Sequence, residues 1–300
     1  MAMGTVVTVR VIGAEGDVGA HARVQRALGW FAHVEGHCSR FDPVSELTLL
    51  CRTVDRPVVV SDLLFGLLDL ALELARRSRG AFDPTVGLAL ERAGFNRHHL
   101  TGEPIQAPIA GDYRPTYRDV LLDTRHRSVT LRCPLVLDLG AVAKGLAIDL
   151  AARELHGYSG YAVEAGGDLY LGGLNEHAAP WSVGIRHPRR ADALIDMLVL
   201  SDVAVCTSGD YERRVDAGPV THHLLDPRAG HSATGAISAT VVAPSAMLAD
   251  GLSTTAFVLG PRRGLPLLER AGVEGMIVTP RMHRKETAHY AQYRAAAAGI

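Results

Sequence analysis

Apolar positions alternate with two different periods along this chain, and the switch between them marks out its elements. Residues 5–12 are β-branched at nearly every second position and predict a strand. Residues 20–36 carry apolar side chains at helical spacing. A second helix is expected to start at Ser61 and end near Gly80, with Leu64, Leu67, Leu68, Ala71, Leu74 and Ala75 on its inner face. Short strands are expected at 129–131 and 135–137, on either side of Pro134. A helix over 141–156 should close at Gly157. Strands follow at 161–165 and 169–171 around a glycine turn, then at 181–186, 197–200, 203–206 and 239–242. Ser245 is placed to cap a last helix running to Leu259, where Gly260–Pro261 should stop it.

The strands are not separated by regular helices, as a doubly wound sheet requires. The pattern therefore predicts an α+β protein, mainly antiparallel, with flanking helices. No repeat, low-complexity tract or linker divides residues 1–300, so a single unit of one or two lobes is expected.

Composition changes this picture only by exclusion. A formal net charge of −1 removes polybasic character, and with it nucleic acid as a main partner. The apolar run over 63–75 is interrupted by Gly66, Asp69 and Glu73 and is too short to span a bilayer. Residues 1–11 lack a basic segment followed by an apolar one, which leads to the expectation of a cytoplasmic location. Cys38, Cys51, Cys133 and Cys206 form no Cys-x-x-Cys pair and read as reduced thiols. His222 and His223 are neighbours on an extended stretch and should point opposite ways, so no zinc pattern emerges.

Four segments could carry chemistry. Asp138-Leu139-Gly140-Ala141-Val142-Ala143-Lys144-Gly145 runs from a strand into a helix, where free amides and a lysine one turn in would suit a phosphate. An ordinary strand-to-helix turn is the plainer reading. Asp250-Gly251-Leu252-Ser253-Thr254 puts a carboxylate and hydroxyls on one helical face, an all-oxygen set suited to magnesium. His222-His223-Leu224-Leu225-Asp226-Pro227-Arg228-Ala229-Gly230 holds two histidines that could shuttle a proton, although structural histidines are commoner. Tight glycine turns at 80–87, 165–168 and 207–211 could bring backbone amides to a ligand, or be only turns.

Separately these signals are weak, but their order is specific. Met3-Gly4-Thr5, then Cys38-Ser39-Arg40-Phe41-Asp42-Pro43-Val44-Ser45-Glu46-Leu47, then the segments at 80–87, 138–145, 166–168, 207–211, 223–230 and 249–254 together resemble the ApbE family of FAD:protein FMN transferases. The resemblance extends from residue 3 to about 260. It implies an α+β, T-fold-related architecture with the nucleotide between two lobes. It implies FAD as substrate, Mg²⁺ as cofactor, transfer of FMN to a Thr or Ser hydroxyl of an acceptor flavoprotein, and release of AMP. By that resemblance Met3, Phe41, Ala81, Phe82, Asp83, Asp138, Lys144 and Leu225 would contact FAD. The metal would take the carbonyl of Ala141 and the side chains of Asp250 and Thr254, and Ser253 stands at a position that is often metal-linked although its residue type varies. His223 is the candidate base, and Lys144 and Asp250 complete the catalytic set. Two departures stand out: Ala229 replaces a family threonine, and Gly94-Phe95-Asn96 stands where a tryptophan is common. A metal-dependent FAD pyrophosphatase, and a flavin-binding protein that has lost the cleavage chemistry, are the alternatives.

Overall fold

The computed structural model describes residues 2–98, 101–109, 113–212, 214–215 and 221–295. Its principal sheet has seven strands: β1 Val7–Ile12, β2 Gly160–Ala165, β3 Asp168–Gly173, β4 Val203–Gly209, β5 Ser238–Ala243, β6 Glu274–Val278 and β7 Arg284–Glu286. Each pairs antiparallel with the next, so their order in the chain is also their order in space. Gly166 and Gly167, at φ 60° and 89°, join β2 to β3. Two successive left-handed residues are what a two-residue hairpin loop demands.

The period of two sorts the sheet's side chains into two cores. On β4 and β5, Ala204, Cys206, Ala239 and Val241 face the helices, while Val205 and Val242 face the opposite side. That opposite side is covered by a hairpin, Trp181–Arg186 with Leu194–Leu200, whose Trp181, Val183, Ile185, Leu198 and Leu200 are buried. Trp181 Nε1 donates to the Gly172 carbonyl at 3.2 Å, so its one polar atom is satisfied inside the core.

Six helices complete the frame: α1 Ala20–Cys38, α2 Glu46–Cys51, α3 Asp62–Ser78, α4 Gly87–Arg92, α5 Gly140–Glu154 and α6 Ala246–Arg270. α5 packs between α1 and α6, and α3 lies along α6. A small three-stranded sheet (Val58–Val59, Ser128–Leu131 and Val120–Asp123, in that order) flanks them. α3 follows its sequence pattern closely. Ser61 Oγ accepts from Leu64 N at 3.2 Å, and the six expected apolar residues are all buried. None of these helices is long and apolar enough to cross a membrane.

The structure corrects three expectations. Residues 135–137 form no strand. Their extended backbone is held instead by a turn, with Gly87 N donating to Val136 O at 3.1 Å and Asp138 N to Pro84 O at 2.8 Å. β1 begins at Val7 rather than Thr5, because Met3 (φ 52°) and Gly4 (φ 73°) fold Ala2 back onto Thr5. Gly260 (φ 66°, ψ 176°) does break α6, but helix resumes over 261–270. Pro261 is compatible with a first helical position, so it restarts the helix that the glycine stopped.

Contact between α5 and α6 is closest at Gly145. A Cβ there would sit 2.6 Å from Met247 Cα and overlap the Ala246 carbonyl. Asp149, one turn further along α5, accepts from Ala246 N at 2.7 Å and Met247 N at 2.9 Å, capping the start of α6. Gly145→Ala should therefore destabilise the fold by about 1–3 kcal/mol, the usual cost of overpacking against a rigid backbone, measured as a lower midpoint of urea unfolding.

Candidate active site

Close approach of α5 and α6 brings together groups that lie far apart in sequence. Lys144 Nζ, on the second turn of α5, forms an ion pair with Asp168 at the start of β3 and lies 3.5 Å from Asp250 Oδ2 on α6. Asp250 Oδ2 also accepts from Gly145 N at 3.2 Å, and Asp168 Oδ1 accepts from Thr207 N at 2.9 Å. Both carboxylates are buried, at 5% and 4% exposure. Two carboxylates thus meet the Lys144 ammonium in a desolvated cluster, where each charge depends on its neighbours for compensation.

Hydroxyls line the same pocket. Ser208 Oγ, on β4, lies 2.8 Å from Ser253 Oγ and 3.0 Å from Thr254 Oγ1. Ser253 Oγ also donates to its own helix, at 2.9 Å from Asp250 O. Ser253 is fully buried, whereas Thr254 is partly exposed. No group of three or more His, Cys, Asp or Glu side chains gathers among the described residues. A carboxylate with hydroxyl and carbonyl oxygens is still a donor set that a hard cation accepts.

A second cluster sits at the other end of the α5 entry. Asp138 Oδ2 accepts from Arg40 Nε at 2.5 Å, and its Oδ1 accepts from Gly140 N at 2.9 Å. The Arg40 guanidinium, 6% exposed, also lies 3.8 Å from Glu91 Oε1, donates to the Phe95 carbonyl at 2.5 Å and stacks 4.1 Å over the Phe41 ring. Phe41 meets His98 edge-on at 6.3 Å, and Phe95 meets His223 at the same separation. Phe95, at one of the departures from the family pattern, is therefore part of this cluster.

The remaining predicted residues are placed as follows. Ala81 and Phe82 are buried, and Asp83 spends its carboxylate on Thr85 N (3.0 Å), Thr85 Oγ1 (2.7 Å) and Tyr117 N (2.9 Å). Burial raises the Asp83 pKa despite those bonds. These side chains point into the protein, so a ligand at this turn would meet main chain. Met3 N donates to Glu35 Oε2 at 3.0 Å in the tight turn before β1. Ala141 lies in the first turn of α5. Leu225 is buried in a short ladder with Ser232, its N–H donating to His223 O at 3.0 Å. In the turn that follows, Asp226 is held by Arg228 at 2.7 Å, and the Gly230 N–H bonds back to Asp226 O at 2.8 Å.

Asp168, Ser208 and Arg40 had no assigned role in the sequence, where each is one residue of a turn or motif. Only the fold reveals that they meet Lys144, Thr254 and Asp138. Their signal is the short motif that contains each: the Gly-Gly turn before Asp168, the end of a β-branched strand before Ser208, and the aromatic after Arg40.

An α+β frame with an oxygen-rich, charged pocket at a helix start is suited to binding phosphate together with a hard cation. The chain belongs to the ApbE family, whose model matches residues 3–277. It is 31% identical to an FAD:protein FMN transferase of Treponema pallidum, over 93% of this chain and 83% of that protein. It is 29% identical to the Vibrio cholerae protein of the same name, over 89% and 82%. Among solved structures, the ApbE protein of Thermotoga maritima superposes with a TM-score of 0.84 at 30% identity, covering 99% of this chain and 98% of that one. The apo flavinyl transferase ApbE of Pseudomonas stutzeri gives 0.84 at 26%, covering 100% and 96%.

His222 and His223 differ sharply in environment. His222 is buried edge-on against Phe257 (5.6 Å), with Nε2 3.0 Å from Ala233 O, while His223 is half-buried. Burial lowers the His222 pKa from its ordinary 6.5. The unfolded chain then binds a proton that the native state refuses, so stability is intact above about 6.5 and falls as the pH drops below it. Replacing His222 with Gln should flatten the slope of unfolding free energy between pH 7 and 5.5.

Proposed function

We propose that this protein is a magnesium-dependent FAD:protein FMN transferase that passes FMN to a Thr or Ser hydroxyl of an acceptor flavoprotein and releases AMP. The observation that carries this reading is the clustering of two buried carboxylates, Asp168 and Asp250, with the Lys144 ammonium beside the Ser208–Ser253–Thr254 hydroxyls. Membership of the ApbE family and the names of its relatives supply the substrate class.

Asp250, Thr254 and the Ala141 carbonyl would hold the metal, with Ser253 fixing Ser208 from behind. Bound there, magnesium supplies charge neutralisation and Lewis-acid polarisation at the pyrophosphate. The protein's own groups do the rest. Lys144 and the amides opening α5 stabilise negative charge that grows on the phosphoryl oxygens. Asp138, fixed by Arg40, and the main chain at 81–83 orient the nucleotide, Met3 and Leu225 close around it, and Phe41 offers a ring face for stacking. His223 takes the proton of the acceptor hydroxyl. The hydroxyl oxygen bonds to the phosphorus on the FMN side. The bond from that phosphorus to the bridging oxygen breaks, and AMP leaves with that oxygen.

Incubation with FAD, magnesium and an acceptor flavoprotein should yield AMP and an FMN-sized mass gain on the acceptor. AMP with free FMN and no mass gain would instead establish a pyrophosphatase. Asp250→Ala should abolish metal-dependent AMP release, and Lys144→Ala should slow it by about 10²-fold. His223→Gln should slow acceptor labelling by about 10²-fold or more while FAD affinity is retained; unchanged labelling would remove His223 from the mechanism.

A further inference from the structure

Where the end of α3 meets the restarted segment of α6, a cleft of about 420 Å³ is lined by Arg77, Arg79, Arg262, Arg263 and Arg270. None of its lining residues is acidic, in a chain whose net charge is −1. These guanidiniums are therefore not a sample of a generally basic surface. Arg77 is paired with Glu73 at 2.6 Å; the other four make no ion pair among the described residues. No residue of the candidate active site lines the cleft.

Arg262 and Arg263 sit in the first turn of helix 261–270, where cations oppose the helix dipole. That placement is unfavourable for the isolated fold and favourable once an anion lies between them. The helix start is also packed against the chain at Gly235. Gly260 and Gly235 pack backbone to backbone, a Cβ on Gly260 falling 3.5 Å from the Gly235 carbonyl oxygen. Gly264 lies close against Ala256, where a Cβ would fall 2.9 Å from the Ala256 carbonyl oxygen. Leu259 and Pro266 add apolar wall.

We propose that this cleft is a second ligand site, binding a phosphate-bearing anion of nucleotide size apart from the FAD-handling pocket. Guanidinium forks match phosphate oxygens two at a time, and the cleft's volume lies in the range that small-molecule sites use. The apolar wall favours a ligand with a ring over bare phosphate.

Calorimetric titration of the full chain, with no flavin or metal added and at constant ionic strength, tests this with ADP and inorganic pyrophosphate as probes. ADP should bind the unaltered protein, and the R262S/R263S double variant should bind it at least about tenfold more weakly, as expected for lost charge-assisted hydrogen bonds. R79S/R270S should weaken it as well. These side chains are exposed, so thermal unfolding should shift only slightly, upward for R262S/R263S and downward for R79S/R270S, and a gross folding defect is readily recognised. Lys144→Ala should leave ADP affinity intact. Tighter binding of ADP than of pyrophosphate supports the nucleotide-sized ligand; equal binding supports a site that reads phosphate alone. No binding at millimolar ADP, unchanged affinity in both arginine variants, or loss only in Lys144→Ala would overturn the proposal. Flavin transfer by R262S/R263S, assayed without added anion, should equal that of the unaltered protein, which separates this site from the reading of the active site.

Discussion

Everything proposed for the active site depends on how closely two helix backbones can approach. Lys144 and Asp250 can meet only because Gly145 lets α5 lie directly against the first residues of α6. Asp149 then fixes the angle, accepting from two amides that α6 would otherwise leave unpaired at its start. The sheet adds the remaining members from beneath. Asp168 opens β3 and Ser208 lies near the end of β4, and both fall under the crossing point of the helices. A bulkier residue at 145 would not merely loosen a contact. It would separate the ammonium from the carboxylate it partly neutralises.

The charge arrangement carries its own cost. Buried ion pairs seldom repay the loss of hydration, and the buried cluster of Lys144, Asp168 and Asp250 bears that cost. The second cluster is balanced differently. Arg40 is committed to Asp138, Glu91 and the Phe95 carbonyl while its flat face covers Phe41. It is a rigid strut between the α5 entry and the aromatic rings. The Lys144 cluster gathers charge, and the Arg40 cluster imposes shape.

The sequence made the long elements legible because their periodicity is strong: α3, α5, the first part of α6 and most strands of the principal sheet follow it. Turns and short elements were harder. At 135–137 an apolar triplet resembles a strand, yet its partners are the amide of Gly87 and the carbonyl of Pro84, a turn that no alternation encodes. Pro261 looks like a stop from the left and is a permitted first residue from the right. The candidate site was legible in its parts, because Asp138 just before α5, and Lys144, Asp250 and Thr254 on helices, sit where a local pattern draws attention to them. Asp168, Ser208 and Arg40 were not, since what gives each its meaning is a partner many residues away. The inward orientation of Ala81, Phe82 and Asp83 was also invisible, because glycine turns look alike whether their side chains face a ligand or the core.

The sheet's edge has a consequence for how the molecule is made. Val7 pairs with Ala165 and Ile12 with Gly160, and the Met3 turn lies beside the β2–β3 loop, where a side chain on Gly166 would strike Thr5. A ribosome releases β1 long before β2, its neighbour among the described residues, exists. During that interval the β-branched segment must stay unpaired or be shielded by a chaperone, since unpaired strand edges invite aggregation. The turn at Met3 is thus completed only after residues 160–165, far along the chain, have been made.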